Sequence, residues 1–442
     1  MFRRLFSEIA HDIPDDRRVL SQNLRTFVNW LAVRRVDLGI SALICVVSGV
    51  MYALLALQIP PALIDPAREA WVWFEADLIR VQDMMVDRYA NNYRTNVHPL
   101  QPIVMFPSTK ALMLLGLSER LAAIGSLSAA AGLWAGVLFA GFRGLGLFRL
   151  DAIIFTVLGM VSSAAIFWMT VPEAYAFGAL TVTIALAMGI LIQRGTVPQI
   201  IQSLSTVVAF SITTTNWMAG ILTVLSANHY KRAVRILVDG FAIATALFAV
   251  QKVAFPSANF FVPRMKQEME YVFNELAGGN LDKLRAFFAY SISVPDVPFL
   301  DNPTFPEWMR LTVQFTPLTA LTWIGVIGLV AWAIVFVFGL VTAVVKPGPN
   351  KVIAQALVYY LLFQVLLHLF YGDETFLYSL NFVPAMLLLA GFSVLGRARP
   401  VFLTVAVVAI PFLAYNNISE YLRVTSDLQA HADALLQGTV GD

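Results

Sequence analysis

Apolar runs of about 18 residues or more recur along the whole chain, and this recurrence constrains the fold more than any other feature. Wound as a helix at about 1.5 Å per residue, each such run is long enough to cross a bilayer core of about 30 Å. Lipid offers the backbone no hydrogen-bond partners, so every amide and carbonyl must pair within its own segment, and the spans are helices. Of the 442 residues, 58% are hydrophobic and 13% are charged, and the mean hydropathy is +0.72. A soluble domain needs about twice that share of charge to cover its surface. The sequence therefore predicts an all-α polytopic membrane protein with about eleven transmembrane helices.

The expected spans run from Leu38 to Leu57, Leu121 to Ala140, Ala152 to Met169 and Ala174 to Gln193. A short fifth and sixth pair follows from Ile200 to Leu225, then Ile236 to Ala254, Leu318 to Val345 and Val352 to Phe370. The last two are Leu377 to Leu395 and Val401 to Tyr415. Residues 99–117 are nearly apolar enough to add a twelfth. Pro102, Pro107 and Lys110 argue instead for a juxtamembrane or re-entrant segment.

Positive charge gives the orientation, because lysine and arginine concentrate in short cytoplasmic loops. The leader carries Arg3, Arg4, Arg17, Arg18, Arg25, Arg34 and Arg35. Alternate connections then carry Arg143 and Arg149, Arg194, the cluster Lys231, Arg232 and Arg235, then Lys346 and Lys351, then Arg397 and Arg399. The short loops at Pro172–Glu173, Thr213–Trp217 and Tyr371–Glu374 contain neither residue type. The expected organisation is a cytoplasmic leader (1–36), a transmembrane domain (37–418) with outer loops at 60–120 and 255–317, and a short outer tail (419–442). The location implied is a cell (inner) membrane with a cytoplasmic N-terminus. The first span reads as an uncleaved signal anchor.

Amphipathic patterns in the leader (Phe2, Leu5, Phe6, Ile9) and in the second outer loop (Met265, Met269, Val272, Phe273, Leu276; then Leu284, Phe287, Phe288) suit helices lying on the membrane surface. The single cysteine, Cys45, permits no intramolecular disulfide and no thiolate metal site, and reads as helix packing.

The residues able to do chemistry fall in the loops without positive charge and in the long loops beside them. The first outer loop holds Glu75, Asp77, Asp83 and Asp87 with Arg80, Arg88, Arg94 and His98, wrapped in Trp71, Trp73, Phe74, Met84 and Met85. A carboxylate docked there beside arginines suits a general base with cations at hand for a phosphate. Glu173 follows Pro172 in a tight turn, where ordinary helix N-terminal chemistry and an active-site role both fit. Asp373 and Glu374 sit between two spans, with Tyr378 and Asn381 following on one helical face. Adjacent carboxylates at such a position are costly unless used. His368 alone reads as a satisfied membrane-interior histidine rather than a ligand. Thr213 to Asn216 add neutral hydrogen-bonding groups. Four connections thus converge on one side of the bilayer, with few polar residues at mid-depth, which suits an enzyme better than a transporter.

The order of these features resembles the GT-C integral-membrane glycosyltransferases, among them the dolichyl-phosphate-mannose protein mannosyltransferases and the bacterial aminoarabinose transferases. The matching residues are Asp77 in Glu75-Ala76-Asp77, then His98-Pro99-Leu100, then Glu173 in Pro-Glu-Ala-Tyr, and the polar turn Thr213 to Trp217. The segment Tyr378 to Pro384 departs from the family in lacking a basic residue for the donor phosphate, which passes that role to Tyr378, Asn381 or a first-loop arginine. A clear DxD is absent, which puts a divalent metal in doubt, and no cofactor is called for. The large C-terminal domain of some members has no counterpart.

The resemblance implies transfer of a sugar from a polyprenyl-phosphate carrier to a glycan, lipid or protein acceptor outside the cytoplasm, with membrane lipid as surroundings and no nucleic-acid partner. Asp77 would be the catalytic base and Glu173 would orient the acceptor. Arg80, Arg88, Arg94, His98 and Lys110 would hold donor phosphate, with Tyr378, Asn381, Asp373 and Glu374 completing the substrate site. A carboxyl group of ordinary pKa, about 3.9, is ionised at neutral pH and can take the proton of an attacking hydroxyl. Two other readings remain open. An O-antigen polymerase or ligase depends on arginine and histidine in a late loop, and residues 255–317 hold arginines but no histidine. A flippase or transporter for polyprenyl-linked sugars needs charge at mid-span, where Asp239 and His368 are the nearest candidates.

Overall fold

The computed structural model describes residues 35–64, 72–91, 93–195, 197–260, 271–273, 277–301 and 309–436. Long helices dominate: α1 (Arg35–Ala56), α4 (Glu119–Leu145), α7 (Tyr175–Arg194), α10 (Tyr230–Ala254), α12 (Trp323–Val345), α13 (Lys351–Phe370) and α15 (Arg399–Leu436). Shorter ones are α2 (Leu78–Val86), α3 (Gln101–Leu114), α5 (Arg149–Met160), α6 (Ser163–Trp168), α8 (Gln199–Ile212), α9 (Trp217–Ala227), α11 (Asn280–Arg285) and α14 (Ser379–Ala390). Turns at Thr375–Tyr378 and Gly391–Val394 extend α14 at both ends. Strands β1 (Phe299–Asp301) and β2 (Met309–Leu311) pair antiparallel, Leu300 opposite Arg310.

Among the described residues, eight helical segments are long and apolar enough to cross a membrane. Their outward faces are apolar too: Leu43, Val46, Val47, Val50 and Leu54 on α1, and Val330, Ile334, Val337 and Val341 on α12, are exposed. Water would not tolerate so continuous an apolar surface, and lipid does. The chain is an all-α membrane protein. At its centre lies α14, buried along its entire length and packed against α7, α12 and α13.

One expected span takes another form. The third is two helices, α5 and α6, parted at Val161–Ser162. The Val161 carbonyl accepts from Asn417 Nδ2, and Ser162 caps α6 by accepting from the Ala165 amide. The amides of Ser163 and Ala164 bond Ile292 and Ser291 carbonyls, so the broken backbone stays paired away from water. The short fifth and sixth pair is α8 and α9, of 14 and 11 residues. Residues 99–117 form α3, also 14 residues, with Leu114 and Leu115 exposed at its end.

Two loop expectations also change. The leader's amphipathic pattern and Met265, Met269 and Leu276 lie outside the described residues. Val272 forms a bridge to Tyr371 rather than a helix. Phe287, expected on a surface helix, is buried in the π-turn Ala286–Tyr290 and stacks on Phe382 at 3.7 Å between centroids. The final helix does not stop near Tyr415. It continues to Leu436, and Tyr421 packs on Trp73 and on Phe167 of α6.

The two ends of the bundle differ in charge. At one, Asp37 pairs with Arg143 at 3.0 Å and Arg149 at 2.6 Å, while Asp151 holds Arg399 through two bonds of 2.7 Å. Asn350 bonds the Leu145 carbonyl nearby. The ends of α4 and the starts of α1, α5, α13 and α15 therefore meet there. The polar connections meet at the other.

Candidate functional site

The segment between α1 and α3 is docked into the bundle, as its aromatic residues foreshadow. Trp73 and Phe74 are fully buried, with Phe74 in edge contact with Phe167, Trp168 and Phe376. Anchoring these rings forces Phe74 and Glu75 into left-handed backbone, at φ 49° and 61°. Residues other than glycine adopt that region at a cost, which the aromatic packing sustains. Two residues later Asp77 stands at the N-cap of α2, yet its side chain accepts no capping bond. Its carboxylate turns to Arg94 instead, and more loosely to Arg80 at 3.4 Å. Arg94 likewise follows a left-handed residue, Tyr93 at φ 62°.

Arg94 is the hub. One guanidinium nitrogen pairs with Asp77, and the other bonds Glu173 Oε1 at 2.8 Å and lies 3.2 Å from His98 Nε2. Arg94 and Glu173 are both buried, so each guanidinium–carboxylate contact is poorly screened. Burial pushes the Glu173 carboxyl up, and Arg94 opposes that push. Burial works against the Arg94 charge too, but Glu173 and Asp77 more than offset it and hold its pKa above the ordinary value.

His98 Nδ1 lies 2.6 Å from the Ile212 carbonyl, and this fixes Nδ1–H as the donor and Nε2 as an acceptor facing Arg94. Burial, reinforced by the Arg94 charge, pushes its pKa down to about 3. A neutral imidazole in this place orients Arg94.

These groups line a cavity of about 560 Å³ at the uncharged-loop end of the bundle. Around it stand Glu75, Asp77, Arg80, Arg94, His98 and Glu173, then Thr213 to Thr215, then His368, Asp373, Glu374, Tyr378 and Asn381. Four connections far apart in sequence thus meet in one place. Two expected phosphate ligands do not. Arg88 is exposed, its guanidinium over the Tyr89 ring at 4.6 Å, and Lys110 lies on α3 away from the lining.

Other residues escaped sequence reading. Arg310, on β2, pairs with Glu75 at 3.0 Å, and burial raises the Glu75 carboxyl against that pairing. Tyr271 and Tyr371 enter the lining where residues 271–273 pair with 370–372. A bridge from Asn216 Nδ2 to Asn381 Oδ1, 3.0 Å, ties the neutral turn to α14. Glu374 accepts from the Thr312 hydroxyl, and burial pushes its pKa up to about 8, so it is mostly protonated at neutral pH. Among the described residues no three His, Cys, Asp or Glu side chains converge to hold a metal ion.

Five carboxyl groups and two arginines line the cavity. Arg94 answers Asp77 and Glu173, Arg310 answers Glu75, and burial neutralises Glu374. Such a site offers an ionised carboxylate oriented by an arginine, beside neutral hydrogen-bonding groups. Comparison with protein-family models, curated proteins and solved structures returns no match for this chain. What fold and cavity define is therefore a class: a helical membrane protein with a charged, partly buried polar chamber at one end.

Proposed function

We propose that the chain is an inverting glycosyltransferase of the GT-C type, moving a sugar from a polyprenyl-phosphate carrier to an acceptor hydroxyl at the outer membrane face. In this reading the broken helix α5–α6 and the pair α8–α9 complete about eleven crossings. The arginine-rich end then faces the cytoplasm and the chamber faces away from it. The observation that carries the proposal is Asp77: a helix-start carboxylate that declines to cap, is held by Arg94, and faces a chamber large enough for a sugar.

Asp77 takes the proton of the acceptor hydroxyl as its oxygen forms a bond to the anomeric carbon. The bond from that carbon to the phosphate oxygen breaks, its electron pair leaves with the polyprenyl phosphate, and the configuration inverts. Glu173 and His98 act through Arg94, fixing the Asp77 carboxylate in place. Arg80, partly exposed and lining the chamber beside Asp77, is the cation best placed to meet the departing phosphate. The lipid tail runs along the apolar flank of the bundle.

The test is reconstitution of the full chain in proteoliposomes with a radiolabelled polyprenyl-phosphate sugar. Release of lipid phosphate with transfer to an acceptor is expected, and Asp77→Asn is expected to lower the rate by a factor of about 10²–10⁴ while leaving folded protein in the membrane. Labelled sugar appearing across the bilayer with its lipid bond intact supports transport and refutes the transferase.

A further inference from the structure

We infer that His368 and Glu374 form a neutral wall of the chamber that binds the hydroxyl groups of an uncharged sugar ring. The inference deepens the transferase reading and rests on it. It begins with a histidine that is not satisfied as a membrane-interior histidine should be. His368 is 3% exposed and lines the chamber, and neither ring nitrogen makes a hydrogen bond of good geometry within the protein, the Tyr371 backbone being near the ring but outside that geometry. Its ring stacks on Tyr378 at 4.8 Å and 22°, with Phe382 edge-on at 5.8 Å. Stacking from these sides fixes the ring plane and leaves the nitrogens at its rim. Unpaired nitrogens buried in this way lower stability, and phenylalanine would fill the same stack without the loss. Retaining them makes physical sense where a ligand supplies the partner.

Glu374 repeats the pattern. One carboxyl oxygen accepts from Thr312, while Oε1 is buried and makes no hydrogen bond of good geometry, with the Phe376 and Gln314 backbone close to the carboxyl. Each of the two groups in its neutral form offers one donor and one acceptor, the complement of a hydroxyl that both donates and accepts. No lysine or arginine appears among the chamber residues contributed by α13, α14 and the connection between them. Lys283 of α11 stands behind this stretch, bonding the Leu369 carbonyl at 3.3 Å, but does not line the chamber. The arginines of the lining are Arg80 and Arg94, and the anionic end of a donor is set toward them.

The experiment uses the full chain in lipid nanodiscs, free of glycosidic detergent. Radiolabelled neutral methyl glycosides and undecaprenyl phosphate are measured separately, each by equilibrium binding. His368→Phe is expected to melt at the same or a higher apparent temperature, to weaken glycoside binding at least about tenfold, and to leave undecaprenyl phosphate binding unchanged. Glu374→Gln, which keeps a neutral donor and acceptor, is expected to bind glycoside within about threefold of the parent, and Glu374→Leu to lose it. A His368→Phe protein that melts lower and binds glycoside as before overturns the proposal in favour of packing. So does tighter binding of a methyl amino-glycoside than of its neutral parent, since that places a cation at the wall. Lipid phosphate release by a wild-type protein that binds no methyl glycoside also overturns it, with the transferase intact. Glycoside binding without any lipid phosphate release does the reverse and refutes the transferase alone.

Discussion

Replacing Arg94 with methionine removes the one cation that answers the buried Glu173 carboxylate. At 2.8 Å and an effective dielectric of about 20, the attraction lost is about 6 kcal/mol. The protein does not forfeit all of it, because Glu173 can take up a proton instead. Protonating a carboxyl group of ordinary pKa, about 4.3, at pH 7 costs about 3.7 kcal/mol, and this caps the destabilisation. The sign in pH follows. Without Arg94 the folded pKa of Glu173 rises further above its unfolded value, so the native state binds more protons. Stability then falls as pH rises through that window and returns on acidification. At pH 5 the cap shrinks to about 1 kcal/mol. Unfolding by SDS titration in mixed micelles, followed by tryptophan fluorescence, reads both values. Glu173→Gln placed on Arg94→Met is expected to restore most of the loss and flatten the pH slope. A loss below about 1 kcal/mol at pH 7, or a double variant no better than the single, refutes the ion-pair reasoning.

Glu374, held neutral by burial up to about pH 8, makes the wild type less stable relative to Glu374→Gln as pH rises from about 4 to 8, with the difference level above that. Apparent melting temperatures across pH 5–9 check it. At the crossing of α1 and α4, a Cβ on Gly132 would lie 2.3 Å from the Cys45 carbonyl oxygen. Gly132→Ala is expected to cost about 1–3 kcal/mol in the same SDS titration by forcing the helices apart. Arg88→Ala and Lys110→Ala lie outside the chamber and are expected to leave lipid phosphate release within about twofold of wild type.

Much of this was legible in the residues. Alternating positive charge predicted that the connections bearing Asp77, Glu173, Thr213 and Asp373 share one side, and they meet in one chamber. The misreadings arose where a long-range partner changes what a residue means. Asn416, Asn417, Glu420 and Arg423 look like the signs of a helix leaving the membrane. They bond Ser293, Val294, Ile292 and Val297 instead, and the helix continues beside the docked loop. Nothing in the sequence marks the His98 tautomer, which the Ile212 carbonyl and Arg94 fix. Arg310 shows nothing in its neighbourhood that announces Glu75, 235 residues away. The break at Val161 depends on Asn417, equally remote in sequence. Local pattern sets helix and side; the pairing of charges needs the fold.

The central claim is that the chamber holds a polyprenyl-phosphate donor with Asp77 facing its sugar. A structure determined with bound undecaprenyl phosphate tests this most directly. The account predicts phosphate oxygens within hydrogen-bond reach of Arg80 or Arg94, room for a sugar ring between that phosphate and the Asp77 carboxylate, and the isoprenoid chain along the apolar flank. Phosphate found instead at the Arg143–Arg149 end, or an Asp77 turned away from it, would contradict the account.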